Sequence, residues 1–406
     1  MKNVILITID TLRRDVLGCY GNGKDLCPTL DRIAADSVVF DRHQAVGPYT
    51  QASFPGILTS SYFLEYGKPK GLAANRTLLS EPIQQAGLTT AAFHSNPYLC
   101  AYLGWNRGWT KFYDSMSDEV EPRIPYVRGR IINRKVIAWL EARHRENRQE
   151  RFFLWVHYMD VHEPYLPERR FVELVDPSIG IDQDAMYCLF QEKLLVRDTS
   201  DPEVVTMLKR LYEVHVREVD LYVEEFWNAL NALGYLENTS VVITSDHGDE
   251  FGEHGGLSHD SKMYRELIDT PLIIFNAGES GVRSDVVSSV DIPPTVLSLL
   301  EIPQPSGFEG QALLPKGEYR SRGAFGEGID QRSIKGGDLS RDTYFYRKDD
   351  YKLIYRAFDN EWELFDLAND PMETNNIAGS AQIAESMKSA LRPRVRRWDA
   401  KTDTAQ

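Results

Sequence analysis

Apolar runs that end in acidic or histidine residues are the main pattern in this chain. The run Val241–Thr244 is followed, after one serine, by Asp246 and His247. Near the start, the apolar run Val4–Ile9 ends in Asp10. Both runs predict buried strands. Because strands of an open α/β sheet deliver their terminal side chains to one crevice, we expect Asp10, Asp246 and His247 to lie close together.

Other periodic stretches extend this α/β pattern. Further strands are predicted at three places: Leu88–Phe93, 152–160 and Pro271–Ile274. A helix that begins at Pro28 is predicted over 28–40, and apolar residues at helical spacing predict a core helix over 204–233. Between 166 and 205 clear periodicity is lost, which predicts an insertion over the site that contributes to substrate specificity.

Length and charge narrow the class of protein. The 406 residues are enough for one large α/β domain and a smaller one. The net charge of -14 argues against nucleic acid or an anionic membrane as the main partner. It still allows a small anionic substrate, because a bound metal inverts the local field. The sequence does not indicate the oligomeric state.

Cysteine spacing and apolar run lengths add further limits. The four cysteines have no tight spacing, so a zinc cage or a dense disulfide framework is not expected: Cys19, Cys27, Cys100 and Cys188. No apolar run reaches the length of a membrane span. The first apolar run is too short and too soon acidic for a signal peptide, so we expect a cytoplasmic location.

A hydroxyl residue follows the break at Gly47-Pro48. Thr50 precedes small residues and an apolar run that predicts a helix. A nucleophile there would have the positive end of the helix behind it, which favours an anionic ligand. The position equally suits a helix cap, because threonine caps helices well. Both roles for Thr50 are open on these residues alone.

Four segments, in order along nearly the whole chain, resemble the sulfatase branch of the alkaline phosphatase superfamily. The first two are NVILITIDTLRRDVLGCYG and SDHGDEFGEHG, which contain the strand ends described above. The third is DIPPT with Gly310 and a following LLP, and the fourth is ELFDL with DPME and Asn376. The resemblance implies an α/β fold with a mixed sheet sandwiched by helices. It also implies a metal-dependent hydrolase or transferase of phosphate or sulfate esters.

The resemblance places Thr50 where the family has its modified cysteine or serine. Ser53 and the segment Ile57–Ser60 match the family, whereas Phe54 replaces an arginine and Ala52 replaces a proline. Threonine cannot become the formylglycine of the family's sulfate-ester hydrolases, but it is the nucleophile in relatives that act on phosphate. The prediction therefore leans to phosphate esters, especially diesters. The alternatives are a sulfatase that works without formylglycine and a weak or inactive member with a binding role.

The resemblance also implies one divalent cation. Its ligands would be Asp10, Asp246, His247 and the Thr50 hydroxyl, and the metal would lower the pKa of that hydroxyl. Oxygen ligands with one nitrogen suit calcium, magnesium, manganese or zinc to different degrees. Asp160 would join a second metal in two-metal relatives, but the expected spacing to a histidine is absent. A second metal therefore stays uncertain.

Further roles follow from matching segments. Asn96 would replace the family's lysine as a neutral donor to the substrate, and an Asx turn before Pro97 is the structural alternative. His162 would face the substrate group, with a buried structural histidine as the alternative. His259, with Lys262 as a second candidate, would bind the anionic group or assist the leaving oxygen.

The C-terminal region has a different pattern. From Gly317 to Arg341 the composition shifts to glycine, arginine and serine. Short antiparallel strands are then predicted at Thr343–Arg347, Lys352–Arg356 and Trp362–Leu367. In line with the family's small C-terminal domain, a helix is expected over 380–399, and the last few residues are expected to be disordered. We therefore predict a catalytic domain over 1–316 and a small sheet-plus-helix subdomain over 317–406.

Overall fold

The fold is built around one eight-stranded sheet between two layers of helices. A computed structural model describes residues 2–66, 71–146, 150–329, 342–379 and 382–402, with side chains described to residue 395. In chain order the strands are β1 (Asn3–Ile9), β2 (Ser37–Gln44), β3 (Thr89–Phe93), β4 (Lys111–Tyr113), β5 (Phe152–Tyr158), β6 (Thr239–Thr244), β7 (Glu250–Phe251), β8 (Leu257–Ser258), β9 (Leu272–Phe275), β10 (Gly281–Ser288), β11 (Ala324–Ile329), β12 (Asp342–Lys348), β13 (Tyr351–Arg356) and β14 (Glu361–Asp366).

The helices cover both faces of this sheet. In chain order they are α1 (Pro28–Ala35), α2 (Thr50–Thr59), α3 (Ser80–Gln85), α4 (Gly129–Arg145), α5 (Arg169–Val175), α6 (Gln183–Leu189), α7 (Pro202–Ala232), α8 (Arg265–Ile268), α9 (Ile292–Leu299) and α10 (Ile383–Thr402). None of these helices, within the residues described, combines the length and the apolar character needed to cross a bilayer.

Strand β1 shows how the two layers divide. Ile5, Ile7 and Ile9 enter the core that contains residues of α1, α4 and α7, whereas Val4 and Leu6 enter the core that contains residues of α2 and α9. This alternation is the two-residue period of a strand that is buried on both faces. The predicted mixed sheet sandwiched by helices is confirmed.

Strand order brings the predicted strand ends together. The order across the sheet is β10-β2-β9-β6-β1-β5-β3-β4, and β9 is antiparallel to both of its neighbours. Strand β1 lies between β5 and β6, parallel to both, with Thr8 in register with His157 and with Thr244. The residues that follow these three strands therefore meet at one edge, as the sequence pattern predicts.

Two predicted elements differ from the structure. The helix predicted over 28–40 is wrong in its second part, because α1 ends at Ala35 and β2 begins at Ser37. Residues 37–40 are Ser-Val-Val-Phe, which favour a strand, and the Ser37 hydroxyl donates to the last turn of α1 at Ile33 O (2.6 Å). The region 166–205, which lacks clear periodicity, contains the short helices α5 and α6.

The C-terminal part forms a separate antiparallel sheet. Strands β11 to β14 pair in chain order, and α10 contributes to the core on one of its faces. Strands β12, β13 and β14 and helix α10 match the prediction. Strand β11 was not predicted, because it lies in the stretch from Gly317 to Arg341, where only the change in composition is clear. The disorder expected for the last few residues concerns positions 403–406, outside the described residues. The boundary between 316 and 317 stays a prediction.

Candidate active site

Three buried side chains converge at the edge where β1 and β6 end. The ligand atoms of Asp10, Asp246 and His247 lie within 4.8 Å of one another, and all three residues are fully buried. His247 Nε2 is 3.7 Å from Asp10 Oδ1 and 3.5 Å from Asp246 Oδ2. Within the described part of the chain none of these three atoms has a hydrogen-bond partner. Buried unpaired polar atoms are costly, so this donor set fits a divalent cation.

The second oxygen of Asp10 is held by the protein. Asn96 Nδ2 donates to Asp10 Oδ2 at 2.9 Å, and His157 Nε2 lies 3.3 Å from the same oxygen. The His157 ring is fixed from its other side, because Nδ1 lies 2.8 Å from Thr8 Oγ1. Thr8 Oγ1 also accepts the indole N–H of Trp155 at 2.9 Å, so its own hydrogen is free for His157 Nδ1. With Nδ1 as the acceptor from Thr8, the His157 proton would stand on Nε2, 3.3 Å from Asp10 Oδ2, and Asp10 Oδ1 is left for a metal.

Thr50 lies beside this cluster at the first residue of α2. Tyr49, rather than Thr50, is the residue that flanks the helix start, and it makes no side-chain cap bond. The Thr50 hydroxyl is therefore not used as the helix cap, which was its structural alternative. Asn96 Nδ2, the donor to Asp10, is 3.5 Å from Thr50 Oγ1. The hydroxyl stands at the positive end of the helix, and the Asn96 amide contacts both this hydroxyl and Asp10.

Asn96 forms the turn that was one of its two expected roles, and its amide group faces the cluster. Its Oδ1 accepts the main-chain N–H of Tyr98 at 2.9 Å, which is the expected turn, and its Nδ2 faces Asp10 and Thr50. A contact of this amide with substrate stays a prediction.

His259, which is partly buried, contacts a buried pair of residues not predicted from the sequence. His259 Nδ1 is 2.8 Å from Asp249 Oδ1, and the Tyr165 hydroxyl donates to Asp249 Oδ2 at 2.6 Å. The His259 ring is 4.5 Å from that of His247 and 5.1 Å from that of His162. The structure therefore brings His162 and His259 to the same side of the metal-ligand cluster.

Burial and neighbouring charges set the protonation of these groups. Burial would raise the pKa of Asp10, but the hydrogen bond from His157 and the charges of the imidazoles around it hold that pKa below its usual value. Burial, together with the Asp10 carboxylate, raises the pKa of Asp246. Burial lowers the pKa of His247 to about 4, which favours the neutral, metal-ligating form. Burial would lower the pKa of His259, but the hydrogen bond and charge of Asp249 raise it.

Lys262 does not join the cluster. Its Nζ donates to Glu250 Oε2 at 2.7 Å and to His254 O at 3.0 Å, so its charge is used within the loop that follows β6. This geometry favours His259 over Lys262 for the role that the sequence assigned to either. A role for Lys262 in substrate binding stays a prediction that these contacts do not support.

Phe54 explains how the site tolerates the loss of the family's arginine. Its ring packs edge-on against His157 at 5.2 Å and lies tilted against Trp155 at 5.7 Å, in an aromatic layer next to the cluster. A cation at this position would be buried in that layer without a partner. The site is therefore built with an aromatic support at Phe54 instead of a positive charge.

The residues described here favour one metal over two. Asp160, the candidate for a second site, accepts the Gly129 N–H with both carboxylate oxygens, at 2.9 and 2.7 Å. His247, Asp249 and His259 form a second group with metal-ligand spacing. However, His247 Nδ1 faces Gly248 O at 3.0 Å, so only Nε2 is left for a metal, and both oxygens of Asp249 already have partners.

Some residues around the site have only weak signals in the sequence. His157 lies inside a strand, where a single polar residue in an apolar run is a weak signal. Asp249 lies in the same loop as Asp246 and His247, where its spacing does not distinguish it from an ordinary loop carboxylate. Arg197, in the region predicted as an insertion, pairs with Glu163 at 2.9 Å, directly after His162. That segment therefore reaches the neighbourhood of the site, as the loss of periodicity predicted.

Comparison with known proteins agrees with this geometry. Residues 2–302 match the Sulfatase family, and residues 252–401 match the family described as N-sulphoglucosamine sulphohydrolase, C-terminal. N-acetylglucosamine-6-O-sulfatase of Bacteroides thetaiotaomicron is 25% identical over 96% of this chain and 85% of that protein. Arylsulfatase K of Bos taurus is 32% identical over 46% of this chain and 36% of its own length.

Solved structures share the fold. A protein solved in complex with its substrate, D-glucosamine-2-N,6-O-disulfate, has a TM-score of 0.81 at 21% identity, covering 98% of both chains. Phosphonate monoester hydrolase of Agrobacterium radiobacter has a TM-score of 0.77 at 20% identity, covering 98% of this chain and 95% of that one. The family match includes the central sheet and every ligand of the cluster. The chain therefore belongs to the Sulfatase family of the alkaline phosphatase superfamily and is a hydrolase of ester bonds.

Proposed function

We propose that this protein hydrolyses sulfate esters of small alcohols, with Thr50 as the nucleophile beside one divalent cation. The observation that carries the proposal is the convergence of three unpartnered buried ligand atoms, on Asp10, Asp246 and His247, next to Thr50. The sulfatase relatives support sulfur as the reacting centre. The preference for phosphate diesters, drawn from Thr50 in the sequence, has no such specific support and is kept as one arm of the test.

The ligand set would consist of Asp10 Oδ1, Asp246 Oδ2, His247 Nε2 and the Thr50 hydroxyl. A bound divalent cation would favour the ionised form of that hydroxyl and neutralise charge on the transferred group. Asn96 and His157 hold Asp10 in place from its other oxygen. The Thr8 hydroxyl fixes the His157 ring, and these contacts together hold Asp10 Oδ1, the ligand atom, in a defined position.

Thr50 would act in two displacement steps. In the first, Oγ1 bonds to sulfur while the bond between sulfur and the alcohol oxygen breaks, and Thr50 loses its proton to solvent. In the second, water bonds to sulfur, the bond to Oγ1 breaks, and Thr50 recovers a proton as sulfate leaves. The net change is one water consumed and one alcohol, one sulfate and one proton released.

His259 would supply the proton for the departing alcohol. Because its Nδ1 donates to Asp249, its Nε2 is left to give a proton to the leaving oxygen and to take one from the attacking water. The raised pKa of His259 suits an acid that must hold its proton until the bond breaks. His162, 5.1 Å from His259, would contact the anionic group.

The test is a turnover assay on protein loaded with each candidate metal, using an aryl sulfate, an aryl phosphate and a phosphodiester. We expect sulfate turnover to fall by about 10³-fold or more in Thr50→Ala, because covalent catalysis is lost. Thr59→Ala is the matched control, since the Thr59 hydroxyl, at the other end of α2, donates to Pro55 O. Turnover of the phosphodiester alone would overturn the sulfate proposal. Sulfate turnover that survives in Thr50→Ala would overturn the nucleophile, and silence on all substrates would favour a binding role.

A further inference from the structure

The loop that carries His162 is held by side chains from distant parts of the chain. This loop follows β5, and the N–H of His162 donates to Met159 O at 2.8 Å. The Tyr126 hydroxyl donates to His162 O at 3.0 Å. Arg128 donates from Nη2 to Leu166 O at 2.9 Å. Because Tyr126 and Arg128 are themselves buried, the backbone around His162 has a defined path.

The orientation of the His162 ring depends on the residue that follows it. His162 Nδ1 lies 2.7 Å from the main-chain carbonyl oxygen of Glu163. A carbonyl oxygen only accepts a hydrogen bond, so Nδ1 is the donor in this contact. Nε2 is therefore the nitrogen that is left for a ligand, on a ring whose centre is 5.1 Å from that of His259. A shift of Glu163 would release Nδ1 and with it the ring.

Glu163 is in turn held by Arg197, 34 residues further along the chain. Arg197 Nη1 donates to Glu163 Oε2 at 2.9 Å. Burial would raise the pKa of this carboxyl, but the charge of Arg197 and those of the two histidines, His259 and His162, lower it to about 2. The carboxylate is therefore charged at neutral pH, and an arginine from the region between α6 and α7 pairs with it next to the two histidines of the site.

Arg197 lies in a turn whose backbone conformation is unusual. Its φ of 56° is in the left-handed region, which residues other than glycine seldom adopt. Arg197 N donates to Leu194 O at 3.0 Å, and this bond closes the turn. The next residue, Asp198, donates from N to Lys193 O at 3.0 Å and pairs with the Lys193 side chain at 2.8 Å. Conformations of this kind persist where the surroundings impose them, and they concentrate at functional sites.

The ion pair between Arg197 and Glu163 is in contact with solvent. The side chain of Arg197 is 37% exposed and that of Glu163 is 14% exposed. Such pairs add little to the free energy of unfolding. A comparable pair lies outside the site, Arg210 with Asp176 at 2.6 Å, and its side chains are 28% and 29% exposed. Loss of either pair should have a similar, small effect on stability, whereas only the first pair adjoins a histidine of the site.

We propose that Arg197 is a positioning residue for His162. It holds Glu163 in the place where the carbonyl oxygen binds Nδ1, and so keeps Nε2 directed at the anionic group of the substrate. The proposal rests on the proposed function for the contact between His162 and that group. Arg197 acts through Glu163 and makes no contact with the substrate. The region 166–205 thus completes the active site through one side chain.

The first experiment detects the state of the His162 ring without turnover. Long-range proton–nitrogen NMR spectra of protein with isotope-labelled histidines distinguish the two neutral tautomers, and His162→Gln identifies the signals of this ring. At a pH where the ring is neutral, we expect the Nδ1–H form alone in the unaltered protein and in Arg210→Gln. Arg197→Gln should show both forms, because Glu163 is no longer held. A single, unchanged form in Arg197→Gln would overturn the proposal.

The second experiment measures kcat/KM for an aryl sulfate. Arg197→Gln should lower it about 10- to 100-fold, because a small misplacement of a group that contacts the substrate has effects of this size. Arg197→Lys should recover most of the loss, since an ammonium group still pairs with the carboxylate. Arg210→Gln should retain full activity, with a melting temperature as little changed as that of Arg197→Gln. An equal loss of activity in Arg210→Gln would overturn the proposal.

A double variant separates positioning from direct binding of the substrate. Glu163→Met removes the carboxylate that Arg197 holds. In this background Arg197→Gln should cause no further loss of kcat/KM, because the two residues act through one contact. A further loss as large as that in the unaltered background would show that Arg197 contacts the substrate itself, and would overturn the proposal. If the His162 tautomer changes with Arg197 in a protein that hydrolyses no sulfate ester, the proposed function alone is overturned.

Discussion

Asp249 Oδ1 lies 2.8 Å from His259 Nδ1, and the other oxygen of the same carboxylate accepts the Tyr165 hydroxyl at 2.6 Å. This carboxylate fixes the His259 ring with Nε2 directed away from Asp249. We predict that Asp249→Asn lowers kcat by about 10²-fold, within the range for general acid catalysis. The loss of kcat should be larger for substrates whose leaving alcohol is more basic, because the departure of such an alcohol depends most on protonation. Steady-state kinetics with a series of aryl sulfates measures this dependence.

Tyr165→Phe is the control for the Asp249 variant. It removes the second hydrogen bond of the carboxylate but keeps the contact with His259, so the loss of kcat should be smaller than in Asp249→Asn. A loss in Asp249→Asn that is the same for good and poor leaving groups would show that Asp249 only stabilises the fold.

The arrangement of the ligands could be predicted because it depends on strand ends. Asp10, Asp246 and His247 each follow an apolar run, and parallel strands bring such residues to one edge. Asp249 and His157 could not be assigned in the same way. Their roles depend on partners distant in the chain, such as Tyr165 and Thr8, and a pairing between side chains of different strands leaves no spacing signal.

The end of α1 shows a second limit of sequence patterns. Val38 continues the helical stripe of Leu30 and Ile33, so periodicity alone extended the helix. In the structure Val38 is buried in β2, beside β9 and β10. A short apolar run is compatible with both the helical and the strand period. Here the pairing of β2 with β9 and β10 favours the strand.

Metal binding should be measurable without turnover. A ligand that binds only the folded state raises the melting temperature as its concentration increases. We predict that a divalent cation raises the melting temperature of the unaltered protein and not that of Asp246→Ala. Asp359→Ala removes an exposed carboxylate far along the chain and should respond as the unaltered protein does. An equal shift in both variants would mean that the cation binds elsewhere.

His157 should control the metal affinity through Asp10. Thr8→Val removes the hydroxyl that fixes His157 Nδ1 and so releases the orientation of Nε2 towards Asp10 Oδ2. We predict about a 10-fold loss of metal affinity, the lower range for a residue that orients a metal ligand. Calorimetric titration of each protein with the metal measures this affinity. Thr90→Val, which removes a buried hydroxyl bonded to Gly108 O, is the control and should leave the affinity unchanged.

Phe54→Arg would restore the family's residue without its surroundings. The guanidinium would enter the layer of Trp155, Trp105 and His157, where an unpaired charge costs several kcal/mol. We predict a large drop in the free energy of unfolding, measured by urea denaturation. Phe54→Leu, which keeps the site apolar, should lose about 1–2 kcal/mol for the smaller side chain. A stable Phe54→Arg protein would show that the site can supply the missing anionic partner.

His254 links the loop after β6 to the C-terminal part and should make stability depend on pH. Its ring stacks on Tyr264 at 3.7 Å, with Nδ1 2.7 Å from Glu266 Oε1 and Nε2 3.2 Å from Glu373 O. Burial would lower the pKa of His254, but the hydrogen bond and charge of Glu266 raise it above 6.5. The folded state therefore holds this proton more tightly than the unfolded chain.

The raised pKa of His254 determines the direction in which stability changes with pH. The stabilisation by protonated His254 is fully present below pH 6.5, the value of the unfolded chain, and is lost as the pH rises through the higher folded value. We predict that the difference in melting temperature between the unaltered protein and His254→Gln is largest below pH 6.5 and shrinks towards alkaline pH. In the background of Glu266→Gln the same replacement should lose this pH dependence, because the carboxylate that raises the pKa is gone. A difference that stays constant with pH would show that His254 acts only through stacking on Tyr264.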